Sequence, residues 1–283
     1  MLGRHLEFIK ERQYVMNVSP ATIRWYTSAL NWLDSEHPTQ EELTRLVVKM
    51  RERGLKATGC NAATRAINAY LHWASGATGK CGGGCRHPHI KPMKEPEFVP
   101  SVFTDDQVKK LVNFKPRRFF ERRLHLLILI LLDTGCRISE ATGLKVGDVD
   151  MDNLLLTLTG KGRKQRKVPF SLELRRSLYR YIREFEPKHS LLASRAGDEM
   201  GRGTALHDVK RLCRRFGFEP PTRTLHAFRH TFAANYVRRG GSVFHLQKAL
   251  GHTSLEMSRR YANLQTEDLQ RVHQQLSLLS PAA

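Results

Sequence analysis

Four short segments hold side chains that could act on a phosphate. Thr134-Gly135-Cys136-Arg137-Ile138-Ser139-Glu140 sets an arginine just past a glycine. Gly160-Lys161-Gly162 opens a basic loop, and His226-Ala227-Phe228-Arg229-His230 spaces a histidine and an arginine three apart. Leu250-Gly251-His252 is followed nine residues later by Tyr261. A guanidinium grips two oxygens at once and keeps its proton, so two arginines suit a transition state that gathers charge on non-bridging phosphate oxygens. A phenol can hold a phosphoryl group covalently, but its ordinary pKa near 10 means it needs positive surroundings or a base. The chemistry open to this set is phosphoryl transfer through a tyrosine ester.

The elements that must position these residues are mostly helical. Ser19-Pro20 caps a helix carrying Ile23, Tyr26, Leu30 and Leu33, and Thr39 with Glu42 forms a capping box before Leu43, Leu46, Val47 and Met50. Asn61–Trp73, with Ala66, Ile67, Tyr70 and Leu71 on one face, and an opening helix over Leu2–Met16 complete a four-helix unit. Ala74–Val99 is rich in Gly, Pro and Lys and reads as a linker. Beyond it Thr104 and Gln107 make a second capping box. A buried helix over Phe119–Asp133 ends at Gly135, and two strands, Leu154–Thr159 and one ending at Pro169, flank the charged tip Gly160–Gln165. Further helices are expected near Leu172–Glu184, Ala205–Phe216, Leu225–Arg239, Val243–Leu250, Leu255–Tyr261 and Glu267–Leu279. The fold class is mainly α with a small antiparallel sheet: a helical domain at 1–77, a linker at 78–99 and a mixed domain at 100–283.

Each residue also has an ordinary reading. Arg137 alone would be a surface arginine at a helix start, and Glu140 a first-turn acid complementing the helix dipole. His226 and Arg229 share one face in the first turn of a helix that Thr224 can cap, where phosphate is attracted. His230 faces elsewhere and reads as structural. His252 alone would be a helix cap. Of the seven tyrosines, Tyr14, Tyr26 and Tyr70 lie in the first domain. Tyr179 and Tyr181 sit on a helix without suitable neighbours, and Tyr236 is on an apolar face. Tyr261 follows His252 within Met257-Ser258-Arg259-Arg260-Tyr261, where two arginines add positive charge.

Together the four segments, in this order and spacing, resemble the tyrosine recombinase (phage integrase) family across the whole second domain. The helical unit before it is similar to that family's core-binding, SAM-like domain. The resemblance implies a site-specific, Xer-like DNA recombinase with Tyr261 as nucleophile, forming a 3′-phosphotyrosyl link. Arg137 and Arg229 would clamp the phosphate, with His226 and His252 as donors or proton-transfer partners. Glu140 would support them, and the hairpin lysine would protonate the leaving 5′ oxygen. Lys161 is favoured for that last role by the Gly-Lys-Gly pattern, with Lys164 and Arg163 as competitors. The resemblance further implies double-stranded DNA held in a C-shaped clamp. It implies a homotetramer at synapsis, monomeric or dimeric when free, built through the terminal helix Thr266–Leu279 and its stripe Leu269, Val272, Leu276 and Leu279. No cofactor or metal is called for. The core-binding helices begin near Met1, so no arm-binding domain is expected.

The bulk composition agrees. Lys and Arg number 47 against 27 Asp and Glu, a net charge of +20. Up to Glu97 the balance is 14 basic to 9 acidic, leaving 33 to 18 beyond it. Both parts suit a polyanion, because each neutralised phosphate releases counterions. The longest apolar run, Leu126–Leu132, is too short to span a bilayer, and the charged N-terminus lacks a signal sequence. A cytoplasmic, nucleoid-associated protein is expected. Five cysteines at uneven spacing argue against a disulfide framework. The spacing of Cys81, Cys85, His87 and His89 is unlike common zinc patterns, and a Gly-rich turn is expected there. Two other readings stay open: a type IB topoisomerase-like DNA relaxer, and a catalytically idle DNA-binding regulator on the same fold.

Overall fold

The computed structural model describes residues 2–76, 87–96, 100–160, 162 and 164–251. Lys161, Arg163, Cys81, Cys85, His252, Tyr261 and the terminal helix expected at 266–279 lie outside them. The chain divides into two compact units, Met1–Phe98 and Val99–Ala283.

The first unit is helical: α1 (Gly3–Lys10), running on as a π turn (Glu11–Val15), α2 (Pro20–Leu30), α3 (Gln40–Glu52) and α4 (Ala57–Ala74). The caps are those the sequence encodes. The Ser19 hydroxyl accepts from the Thr22 N–H, and Thr39 and Glu42 satisfy each other's backbone donors. Phe8, Leu30, Leu43, Met50, Ile67 and Tyr70 are fully buried between the helices.

Part of the expected linker belongs to this unit. Residues 87–96 lie against it, held by three amide side chains that each bond both ways to the strap's backbone. Gln40 takes His89 at 3.2 Å in both directions. Asn68 takes Ile90 at 2.8 and 2.9 Å, and Asn61 takes Met93 at 2.8 Å in both. Within the strap, Ile90 is buried in the core of this unit. A Pro- and Lys-rich segment is thus ordered by the helices it meets, a nonlocal cause that its own composition does not reveal.

The second unit is built on α6 (Phe119–Thr134), whose Leu127, Ile128, Ile130 and Leu131 are fully buried. Around it stand α5 (Asp105–Val112), the short α7 (Ile138–Thr142), α8 (Leu172–Phe185), α9 (Arg202–Arg215), α10 (Thr224–Arg238) and α11 (Val243–Leu250). Thr104 and Gln107 form their capping box on α5. The sheet has three antiparallel strands, β1 (Val149–Asp150), β2 (Leu155–Thr159) and β3 (Gln165–Pro169), in that order. The expected hairpin is β2–β3; the two-residue β1 is an addition, too short for periodicity to detect.

Gly135 ends α6 in the left-handed region, at φ 61°. A Cβ there would collide with the Phe232 ring and come within 2.9 Å of Leu250 Cδ2. Gly135→Ala is therefore expected to cost about 2–4 kcal/mol, from left-handed strain plus overpacking. Urea denaturation would measure it, and an unchanged midpoint would contradict this account of the turn.

Candidate active site

The turn after α6 carries Arg137, which is the N-cap of α7. Its backbone N–H donates to Glu140 Oε2 at 2.7 Å, and its Nη1 donates to Glu140 Oε1 at 3.0 Å. The carboxylate of Glu140 is almost completely buried, with a side chain only 2% exposed, while Arg137 is 40% exposed. Such a burial is tolerable only if the charge is fully paired.

The pairing is completed by Arg166, on β3, which sequence reasoning missed. Its Nη1 donates to Glu140 Oε1 at 2.7 Å and its Nη2 to Oε2 at 2.9 Å, the two-pronged geometry that guanidinium and carboxylate share. A further donation, from Nε to the Ala249 carbonyl at 3.1 Å, reaches the last turn of α11. A signal was present in Gln165-Arg166-Lys167-Val168-Pro169. Val168 is buried opposite Leu156, so the strand alternation aims Arg166 inward too, opposite buried Leu158. An arginine at an inward strand position demands a buried acid.

Arg229, on α10, is 7% exposed. Its Nη1 donates to the Gly135 carbonyl at 2.9 Å and its Nη2 to the Leu250 carbonyl at 2.7 Å. One side chain thus ties the end of α6 to the end of α11, joining three of the four segments picked out in the sequence. Gly251 closes α11 in the left-handed region at φ 64°. Of the remaining segment, Gly160 and Gly162 are described and Lys161 is not; His252 and Tyr261 also lie outside the described residues.

His226 is exposed in the first turn of α10, three residues before the buried Arg229. Partial loss of water lowers its pKa, and the charges of Arg202, Arg223, Arg229 and Arg137 lower it further. These four cations mark the region as strongly positive, and a bound phosphate would reverse the effect on the imidazole. Thr224 is not the cap expected of it. Arg223 takes that position, and Thr224 is buried one place further in, its hydroxyl donating to the Pro221 carbonyl at 2.9 Å. Cys136 is buried between these groups, and burial pushes its thiol up to about 11, so it is no nucleophile.

His230 is half-buried. Burial first, then the charges of His226, Arg229 and Arg223, push it down to about 4. A histidine held neutral in the folded chain takes up a proton on unfolding wherever the pH lies between its folded value and its ordinary value near 6.5. In that window the unfolded state binds more protons, so stability rises with pH. Stability is expected to fall as pH drops from 6.5 towards 4, and His230→Gln should flatten that slope. An identical slope in the variant, by chemical denaturation at several pH values, would contradict the assignment.

Near the other candidate ligands, His87 Nε2 lies 3.3 Å from His72 Nδ1 on α4. Among the described residues no three His, Cys, Asp or Glu side chains group closely enough to hold a metal ion, and no helix is long and apolar enough to cross a membrane.

Residues 101–268, most of the second unit, match the phage integrase family. The chain belongs to the phage integrase family. It is 28% identical over 265 residues to the tyrosine recombinase XerA of Pyrococcus furiosus, covering 92% of this chain and 90% of XerA. With the tyrosine recombinase XerC of Staphylococcus epidermidis it shares 31% identity over 196 residues, 65% of this chain and 64% of that one. Its fold is that of the Tn1549 transposon integrase solved with transposon right-end DNA, at TM-score 0.76 and 20% identity over 96% of this chain and 98% of the integrase. The XerH recombinase solved on its difH substrate aligns at TM-score 0.71 and 20% identity, covering 95% of this chain and 82% of XerH. As a phage integrase family member the chain is a site-specific tyrosine recombinase, an enzyme of DNA strand cleavage and rejoining.

Proposed function

We propose that the protein exchanges strands between two DNA duplexes with Tyr261 as nucleophile. The observation that supports this best is Arg229, which draws the Arg137 turn and the chain leading into His252 to one place. Arg137 and Arg229 clamp the scissile phosphate, and His226 and His252 donate to it. Glu140 holds Arg137, and Lys161 protonates the leaving 5′ oxygen. Attack by the phenolate forms a 3′-phosphotyrosyl bond and breaks the bond to the 5′ oxygen, which leaves as a hydroxyl. A 5′ hydroxyl from the partner strand then attacks the same phosphorus and releases the tyrosine. Phosphorus oxidation state and bond count are conserved, so rejoining needs no outside energy.

In this reading 1–77 is the core-binding domain and 100–283 the catalytic domain, and both hold double-stranded DNA in the cytoplasm at the nucleoid. Four protomers assemble at synapsis through the terminal helix 266–279. A mobile element or replicon is the natural substrate, for integration, excision or resolution.

The test is to capture fragments of sheared genomic DNA from the host under denaturing conditions, sequence them, and build duplexes from the recovered site. The wild-type protein should convert pairs of such duplexes into four-way junctions and recombinants. Relaxed circles alone would replace this reading with the topoisomerase one. DNA binding without any covalent product would replace it with that of a regulator.

A further inference from the structure

Arg166 spans three elements, β3, α7 and α11. It is 18% exposed and lies on the inward face of β3, an unusual place for a cation. It holds both oxygens of Glu140 and the Ala249 carbonyl of α11. The surroundings are shaped to admit it. A Cβ on Gly251 would press on Arg166 at 3.2 Å from Cδ and Nε, so the glycine that ends α11 also clears room for this guanidinium. On the other side, a Cβ on Gly160 would stand 3.5 Å from Glu140 Oε1 and 4.0 Å from Arg166 Nη1, so the hairpin tip begins directly over the same pair.

The bonds divide into two arms. Through Glu140, Arg166 fixes the carboxylate that grips Arg137 by both its backbone and its guanidinium. Through Ala249, it fixes the last turn of α11 one residue before Leu250, whose carbonyl anchors Arg229. Two cations that converge on one phosphate must be held to within a fraction of an ångström, because small misplacements cost rate steeply. Only a planar fork with a third donor can serve both arms together; a lysine ammonium is a single point.

We propose that Arg166 is a positioning residue for strand cleavage. It aims Arg137 through Glu140 and seats the end of α11 beneath Arg229, without touching the DNA. This inference rests on the recombinase reading above.

The test uses the full chain and a nicked suicide duplex built from the site that the wild-type protein itself captures. The rate of covalent complex formation is measured at saturating DNA, beside DNA half-saturation and melting temperature. Arg166→Ala is expected to cleave about 100-fold more slowly, the scale of a misplacement of about 1 Å, with DNA half-saturation unchanged. Arg166→Lys should remain slow, because charge returns without the fork. Guanidinium ion added to Arg166→Ala at concentrations that do not melt the protein should restore part of the rate, a response that a general loss of folding would not give. Glu140→Gln added to Arg166→Ala should cost little beyond the larger single loss, since Glu140 lies on an arm that Arg166→Ala already removes. Four results would each overturn the proposal: a wild-type rate in Arg166→Ala, a wild-type rate in Arg166→Lys, multiplicative losses in the double variant, or weakened DNA binding with an unchanged rate at saturation. If the wild-type protein itself forms no covalent complex, the recombinase reading fails, which is a distinct result.

Discussion

Arg229→Lys is expected to form covalent DNA complexes at least about 100- to 1000-fold more slowly than wild type, the usual loss when a fixed donor to a developing oxyanion is removed. The geometry explains why the conservative change should be so costly. Arg229 is almost wholly buried and reaches two carbonyls that end separate helices, Gly135 O and Leu250 O. An ammonium cannot span both, so one carbonyl loses its donor, at about 1–3 kcal/mol for a buried group. The lysine charge remains, so DNA half-saturation should move far less than rate. Single-turnover cleavage at saturating DNA separates the two. A variant that bound weakly yet cleaved at the wild-type rate when saturated would make Arg229 a general DNA contact rather than a clamp on the reacting phosphate.

The second large effect is on stability. Glu140→Ala removes the acid that pairs Arg166, leaving that guanidinium mostly buried beside an empty space. Breaking a buried ion pair from one side costs about 3–5 kcal/mol. In a unit of this size that corresponds to roughly 10 °C in melting temperature. Arg137 adds little to this figure, because its own side chain is substantially exposed and water screens it. The pH dependence follows the same group. Burial alone would raise the Glu140 carboxyl. The Arg166 hydrogen bonds, the Arg137 N–H and the Arg166 charge outweigh burial and hold it below the usual range. A depressed folded value means the contribution is complete above the ordinary glutamate value near 4.5 and is lost as pH falls through the folded one. Differential scanning calorimetry of wild type and Glu140→Gln should therefore converge only in acid. A melting temperature unchanged at neutral pH would show that the pair is not holding the unit together.

Much of the fold was legible because its determinants are local. The caps at Ser19, Thr39 and Thr104 are side chains bonding within three residues, and each was readable where it stands. The apolar run of α6 and its stop at Gly135 needed nothing beyond periodicity and a glycine. What escaped was set by contacts far apart in sequence. The strap at 87–96 is ordered by Gln40, Asn61 and Asn68, amides on helices that gave no sign of being receptors. Thr224 looked like a cap because its type suits one, but its hydroxyl is taken by Pro221, and Arg223 ends the preceding turn.

In the candidate site the same division holds. Arg137 with Glu140, and His226 with Arg229, are close in sequence, and helical spacing alone relates each pair. Arg166 belongs to the set through Glu140, 26 residues away, and through Ala249, 83 residues away. No spacing rule links such positions. Only the inward alternation of β3 hinted that an arginine there needed a partner.

The central claim is that Tyr261 carries the DNA. The most direct measurement is to trap the protein on its captured, nicked duplex, digest protein and DNA, and map the nucleotide-bearing peptide by mass spectrometry. The expected product is a 3′-phosphonucleotide on Tyr261, with no adduct in the Tyr261→Phe protein, which still binds the duplex. An adduct on Tyr179, Tyr236 or any other residue, or one that persists in Tyr261→Phe, would contradict it.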